Sequence, residues 1–436
     1  MQSSERICVI GMGYVGLTLS LVLAKKGFRV QGVEARPLLA RQLQAGRPHF
    51  YERGLEPLLR ECLASGALAI SEAIPADVPI DVFIVAVGTP LDSITKAPIL
   101  DALRLAAESI APHISEGALV ILRSTVPVGT TRSAVLPILR RDSAKNILLA
   151  FCPERTIEGK ALEELEYLPQ IVGGLDEESV RRAESIFQRI TSQVVRVSSL
   201  EAAEMTKLID NSYRDLCFAF ANEIAMIAKH LGLEGNEVIR AANNGYPRTN
   251  VALPGFCGGL CLKKDPQILS LSAEAAGYRP RLVRAAREVN EDLHRRTALR
   301  IAEHLKEKGK EIACAKIFIS GFAFKGRPET DDIRDSSTLE VLAELRQLGA
   351  RHIAGHDFLV APAVIASLGV EPASLEEGFR GADCVILMNN HQGYESVDLQ
   401  RHLPLLNSGA LIFDGWRMFD ADFVKKYNKL CYDSLG

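Results

Sequence analysis

The chain has 436 residues, enough for two or three domains, and 47% hydrophobic content supplies well-buried cores. Basic and acidic residues nearly balance, 51 against 54 with no dense basic run, which removes the electrostatic case for nucleic acid. No apolar run approaches the roughly 20 residues a bilayer demands, and nine scattered cysteines behind an opening without a secretory pattern favour reduced thiols in a cytoplasm.

Residues 6–10 read as a short buried strand that runs straight into Gly11-Met12-Gly13-Tyr14-Val15-Gly16 and then a helical run over 17–26. Strand, glycine turn and helix are the context a dinucleotide fingerprint requires, with the amides at the helix start facing a pyrophosphate. A second strand, 28–33, ends at Glu34, a carboxylate placed to accept from ribose hydroxyls and to repel a 2′-phosphate. NAD is therefore expected in preference to NADP, and Arg36 weakens that preference slightly.

Strand and helix go on alternating, as in a doubly wound parallel sheet. The strand 80–87 ends in Gly88-Thr89-Pro90, and 118–122 ends in Arg123-Ser124-Thr125-Val126-Pro127-Val128-Gly129. Ligands gather at the carboxyl ends of such strands, so Thr89 and Thr125 should face the cofactor; the alternative is a hydroxyl that caps the next helix. The strand 146–151 leads to Cys152-Pro153-Glu154-Arg155-Thr156-Ile157-Glu158-Gly159, whose two carboxylates are either catalytic or merely solvated.

After a strand at 194–197, one long helical pattern without Pro or Gly covers 199–231 and places Lys207 and Asn211 on one face at i and i+4. Such a helix between two α/β halves is often a linker and a dimer surface, and Lys207 on it is by default solvated. A turn-rich stretch, 243–250, leads into the loop Pro254-Gly255-Phe256-Cys257-Gly258-Gly259-Leu260-Cys261-Leu262-Lys263-Lys264-Asp265. A thiol among cations ionises more readily and the thiolate attacks carbonyl carbon, so Cys261 is a candidate nucleophile. The plain alternative makes Cys257 and Cys261 small packing residues in a turn. No second pair at ligand spacing accompanies them, so no metal is expected. Helical pattern returns over 266–309.

From Lys316 a second α/β alternation forms a smaller sheet that lacks a glycine fingerprint. The expected fold is α/β, with two Rossmann-like parallel-sheet domains joined by a long central helix and a helical middle domain. The expected boundaries are 1–198 for an NAD-binding domain, 199–310 for a central helical domain with the cysteine loop, and 311–436 for the second α/β domain.

With these pieces in order, the chain resembles the UDP-glucose/GDP-mannose dehydrogenase family, the nucleotide-sugar 6-dehydrogenases, over nearly its whole length. The likeness rests on spaced blocks: 11–16, 124–129, 153–159, Lys207 with Asn211, 258–265, then Phe324-Lys325 and Asp331-Asp332-Ile333-Arg334. It implies a four-electron oxidation of a UDP-sugar alcohol by NAD, in which a cysteine holds the aldehyde as a thiohemiacetal and then as a thioester that water hydrolyses. Carried over by position, Cys261 is the nucleophile, and Lys207 and Asn211 hold the oxygen that gains negative charge. Asp265 orients a water or the lysine, Glu158 activates water, and Glu154 and Thr125 line the same pocket. Lys264 and Arg334 resemble cofactor contacts. Lys325 and Arg417 resemble contacts to the sugar nucleotide, with Arg155, Gly258 and Phe324 counted beside them, and Arg248 resembles an arginine that in some members reaches a neighbouring subunit's site.

Cys257 and Leu260 depart from the family's usual residues at those places. The block at 152–155 looks like the branch acting on UDP-N-acetylhexosamines, whereas 261–265 leans toward the UDP-glucose branch. The resemblance thus implies a UDP-N-acetylhexosamine as substrate, with UDP-glucose or GDP-mannose as alternatives, and a uronic-acid precursor for surface polysaccharide as product. The long central helix favours a homodimer or higher homo-oligomer. A two-electron 3-hydroxy-acid dehydrogenase and a non-catalytic nucleotide sensor are the competing readings.

Overall fold

Runs of four or five aliphatic residues buried on both faces form a parallel sheet only when helices cover both sides, and the chain makes two such sheets. The computed structural model describes residues 5–141, 145–427 and 429–435, so residues 1–4, part of the opening on which the absence of a secretory pattern was read, lie outside the described residues. The chain divides into two units, 1–210 with 267–279 and 211–266 with 280–436. The helical stretch 199–310 is shared out between them.

The first unit carries strands β1 (Arg6–Ile10), β2 (Arg29–Val33), β3 (Leu68–Ser71), β4 (Val82–Val85), β5 (Leu119–Leu122), β6 (Leu148–Phe151), β7 (Gln170–Gly174) and β8 (Val194–Arg196). They lie in the order β3-β2-β1-β4-β5-β6-β7-β8, parallel throughout except at the β6–β7 pair. The order reverses between β1 and β4, which opens a crevice at the carboxyl ends of those strands where a ligand can enter. β3 and β7 did not stand out in the sequence. β7 ends in two glycines for a packing reason: a Cβ on Gly173 would lie 2.2 Å from the Ser199 carbonyl oxygen.

The second unit carries β9 (Lys316–Ser320), β10 (His352–His356), β11 (Glu371–Pro372), β12 (Cys384–Leu387), β13 (Leu411–Asp414) and β14 (Cys431–Ser434). Their order, β11-β10-β9-β12-β13-β14, repeats that of the first six strands. All the pairs are parallel.

Long helices span Leu200–His230, Leu260–Ala275 and Leu282–Glu307. The last two account for the helical pattern expected over 266–309 and move its start to Leu260. The first of them begins before Pro266 and contains it, so Cys261 to Asp265 form the opening turn of a helix and are not loop. The chain breaks at Gly277, which has φ +84°.

The fingerprint turn is the tightest point of the first unit. A Cβ on Gly16 would lie 1.8 Å from the Gly11 carbonyl oxygen, so Gly16→Ala should open the turn, cost about 1–3 kcal/mol in a urea melt, and weaken dinucleotide binding measured by calorimetry.

Candidate active site

In the first unit, β1 delivers the chain to Gly11, which has φ +91° and whose N–H donates to Val33 O at 2.8 Å. The helix Tyr14–Lys25 then starts at Gly13 with no side-chain cap and no acid in its first turn. A Cβ on Gly13 would meet nothing within 4 Å. Uncapped amides, a positive helix end and open space at Gly13 fit a pyrophosphate, so the residues present suit NAD. Val15 sits half-buried in that first turn.

Glu34 closes β2 and accepts from the Met12 N–H at 3.3 Å and from Arg36 Nε at 2.8 Å. Burial pushes its carboxyl up, but the hydrogen bonds and charge of Arg36 more than offset this and leave it below the usual carboxylate range. Tyr14 does a different job from its neighbours. Its hydroxyl donates to the buried Glu52, and the Gly159 N–H donates both to that hydroxyl at 3.0 Å and to Glu52 Oε2 at 2.7 Å. The phenol is pushed far above its ordinary range, by burial first and then by Glu52 and Glu158. The start of the dinucleotide turn is thereby tied to the loop that carries Glu154 and Glu158.

Thr89 and Thr125 meet each other: the Thr89 hydroxyl donates to the Thr125 carbonyl at 2.5 Å, across the ends of β4 and β5. The 124–129 loop is held from behind by Glu204, a buried carboxylate that accepts from the Gly129 and Thr131 N–H groups, and by Ser272, whose hydroxyl accepts from Val128 N–H at 3.1 Å.

The two carboxylates after β6 sit in different surroundings. Glu154 is buried and pairs with the buried Arg123 at 2.5 Å, while the N–H groups of Arg155 and Thr156 donate to its other oxygen at 2.7 and 2.8 Å. Arg123 also donates to Gln170 and to the Cys152 carbonyl. Burial raises the Glu154 carboxyl, and Arg123, the Thr156 N–H and Lys207 together lower it below its ordinary range. Lys207, expected to be solvated, is 8% exposed and within electrostatic reach of Glu154. Glu158 is half-buried and faces Tyr14. Arg155 pairs with Asp210 at 2.7 Å, on the same helix as Lys207.

In the second unit, Cys261 is exposed on the first turn of the helix Leu260–Ala275. Asp265, one turn later, is 0% exposed. Its Oδ2 accepts from Asn211 Nδ2 at 2.5 Å. Its Oδ1 lies 4.0 Å from Lys264 Nζ and accepts no hydrogen bond among the described residues. Gly259, with φ +89°, lets the loop pass so close to Phe324 that a Cβ would lie 2.6 Å from its ring, and the Gly259 N–H donates to Asp335 O. Gly258 faces Ser337, whose N and Oγ would lie 3.1 Å from a Cβ there. The Phe324-Lys325 and Asp331–Asp335 blocks therefore pack on the cysteine loop, with Lys325 Nζ 5.3 Å from the Phe324 ring centre and Arg334 paired with Asp332 at 2.6 Å. Arg248 is exposed and stacks on Tyr246. Arg417 is engaged with Glu234 at 2.7 Å, although its neighbour Trp416 packs against Gly255 of the loop.

Residues that carry no motif in the sequence hold the cysteine loop within the second unit. Asp215, one turn past Asn211, accepts from Arg287 at 2.7 Å, Asn290 at 2.8 Å and the Cys257 thiol at 3.2 Å. Asn222 grips both the N–H and the carbonyl of Gly255. The i+4 continuation of Lys207 and Asn211 to Asp215 was the available signal. Lys263 and His294 both pair with Glu340. The turn after β9 differs from the fingerprint turn: Asp357 accepts from the Phe322 and Ala323 N–H groups at 2.6 and 3.0 Å, so a phosphate would find those amides already occupied.

Comparison with known proteins gives matches along the chain: residues 5–191 to the NAD binding domain, 201–292 to the central domain and 318–421 to the UDP binding domain of the UDP-glucose/GDP-mannose dehydrogenase family. The NDP-N-acetyl-D-galactosaminuronic acid dehydrogenase of Ralstonia nicotianae is 34% identical over 411 residues, covering 91% of this chain and 93% of that one. The UDP-N-acetyl-D-mannosamine dehydrogenase of Methanocaldococcus jannaschii is 34% identical over 398 residues, covering 90% and 87%. The solved UDP-N-acetylmannosamine dehydrogenase structure from Pyrococcus horikoshii superimposes with a TM-score of 0.88 at 29% identity, covering 99% of both chains.

Glu340 supplies a pH test. Burial pushes its carboxyl up, but His294 and Lys263 more than offset that and hold it at about 2, against an ordinary 4.5. A depressed folded value gives stability that is complete above the unfolded value and is lost as pH falls through the folded one. Urea melts should therefore show wild type more stable than Glu340→Gln above pH 4.5, with the gap closing as pH falls toward 2.

Proposed function

The chain belongs to the UDP-glucose/GDP-mannose dehydrogenase family, and from that membership we propose that it oxidises the C6 alcohol of a UDP-N-acetylhexosamine to the uronic acid through a thioester on Cys261. The family's NAD binding domain makes NAD the cofactor, and its UDP binding domain makes a UDP-sugar the substrate class. What carries the thioester reading is an exposed thiol on a helical turn that also holds Lys264 and the buried Asp265, one of whose oxygens lacks a hydrogen-bond partner among the described residues. Both named relatives act on N-acetylated sugar nucleotides or their uronic acids, which supports the N-acetylhexosamine.

NAD bound on the Gly11–Gly16 turn supplies a hydride acceptor. The residues of the chain do the rest. Lys207 and Asn211 donate to the sugar oxygen as it takes on negative charge. Cys261 Sγ as thiolate forms a bond to the aldehyde carbon as the C=O π pair moves to the oxygen held by Lys207 and Asn211, which keeps a reactive intermediate from escaping, and loss of the remaining C–H as hydride to a second NAD re-forms the C=O and leaves a thioester. Water then bonds to the acyl carbon, the C–S bond breaks, the sulfur leaves as thiolate, and the water proton passes to a carboxylate of the 153–159 loop, with Glu158 assigned that role. Asp265 orients the lysine or a water. Thr125 and Glu154 line the pocket.

Glu34, Thr89, Lys264 and Arg334 serve the cofactor, and Arg155, Gly258, Phe324, Lys325, Arg248 and Arg417 serve the sugar nucleotide. The assignment divides the chain into an NAD part at 1–198, a central part at 199–310 and a UDP-sugar part at 311–436. The assignment places the enzyme in the cytoplasm, and a homodimer is supported by Tyr213, Phe220 and Ile227, which recur at i+7 on the helix Leu200–His230 at 64%, 51% and 50% exposure as an exposed apolar stripe.

A panel of UDP-N-acetylglucosamine, UDP-N-acetylgalactosamine, UDP-N-acetylmannosamine, UDP-glucose and GDP-mannose should give two NADH per sugar with one of the N-acetylhexosamines. Cys261→Ala should abolish uronate formation. Two NADH per sugar from that variant would remove the thioester. Lys207→Ala should lower kcat about 100- to 1,000-fold, as loss of an oxyanion donor does.

A further inference from the structure

The helix Leu260–Ala275 has a defect one turn beyond its nucleophile. Pro266 lies inside it and has no N–H, so the carbonyl of Leu262, four residues earlier, loses its helical donor, and the proline ring also pushes that carbonyl outward. A carbonyl freed in the first turn would leave the turn that carries Cys261 loosely held. The structure fills the gap from another helix: Arg287 Nη1 donates to Leu262 O at 3.3 Å. The same nitrogen donates to Asp215 Oδ1 at 2.7 Å, and Nη2 donates to Glu291 at 3.1 Å. Arg287 and Asp215 are 3% and 0% exposed. Asn290 and the Cys257 thiol add their donors to Asp215, so the guanidinium cannot swing away without leaving a buried carboxylate short of a partner.

We infer that Arg287, anchored on Asp215, is a positioning residue for Cys261, replacing the backbone N–H that Pro266 lacks and so fixing the turn from which the sulfur projects. Its part in catalysis rests on the reading of Cys261 as the nucleophile; its part in holding the turn does not. A planar guanidinium suits the task, because it can face a carbonyl and a carboxylate together, which an ammonium on a flexible stem does less well.

The test exploits the proline. Arg287→Met should lower kcat by about 10- to 100-fold, the loss that follows from misplacing a reacting group by a fraction of an ångström to an ångström, and should change the rate at which iodoacetamide alkylates Cys261, followed on the isolated peptide by mass spectrometry. Adding Pro266→Ala restores the missing N–H to Leu262, so the double variant should recover most of both properties. Arg287→Lys should recover less. Because Arg287→Met leaves the buried Asp215 without its cation and can unfold the unit, the same comparison is made in an Asp215→Asn, Arg287→Met background with and without Pro266→Ala.

A role in stability alone predicts a lower melting temperature but no recovery of rate per folded molecule on adding Pro266→Ala, and that result in both backgrounds would overturn the inference, as would a wild-type rate in folded Arg287→Met. If no UDP-sugar is turned over by wild type, the function proposed above fails instead, and the alkylation series still decides whether Arg287 holds the turn.

Discussion

A carboxylate taken wholly out of water needs partners, and in the second unit Asp215 gathers them from three stretches of chain. Arg287 and Asn290 come from the helix Leu282–Glu307, Cys257 from the glycine loop, and Asn222, through Asn290, from the same long helix as Asp215 itself. Removing one partner from such a cluster typically costs about 3–5 kcal/mol, because what remains is a buried unpaired charge. The glycine loop between Pro254 and Gly259 is held by Phe256, buried in the core against His294, by Asn222 at Gly255 and by this cluster at Cys257. Cys261 follows this loop directly, on the first turn of the helix Leu260–Ala275.

The two sheets show how one strand order can serve two different ends. In each, an acid at the end of the second strand reaches back to the turn after the first: Glu34 to Met12, and Asp357 to Phe322 and Ala323. In the first sheet that acid takes one amide at 3.3 Å, and an open glycine follows at a helix start with no cap. In the second it takes two amides at 3.0 Å or less. The first turn keeps its positive end for a pyrophosphate, whereas the second has satisfied itself. The absence of a glycine fingerprint after β9 is the trace of that difference in the sequence.

Much of the architecture was legible because it depends on local pattern. Buried aliphatic runs gave most strands to within a residue or two, and β1, the glycine turn and Glu34 fell into place together because their spacing is a property of one βαβ unit. The failures have physical reasons as well. β11 is only a Glu-Pro pair, and β7 ends in glycines that packing demands, so neither shows a strand's composition. Pro266 read as a helix start, since proline is favoured in a first turn. The helix begins earlier, and Arg287, far off in sequence, donates to the Leu262 carbonyl that the proline leaves without a helical donor. The helical period puts Lys207 and Asn211 on one face, and the default of a solvated lysine fails because Lys207 is buried; a helical period shows which side chains share a face and says nothing of what lies opposite. The cluster around Asp215 was invisible for the same reason, being made of contacts between distant segments.

The clamp of Tyr14, Glu52 and Gly159 joins the dinucleotide turn to the carboxylate loop through one shared hydroxyl and one buried carboxylate. Free energy passed across such a joint is reciprocal. A ligand that steadies the turn lowers the entropy still to be lost by the loop, and one that steadies the loop does the same for the turn. The joint couples the two binding events over and above any contact the ligands make with each other.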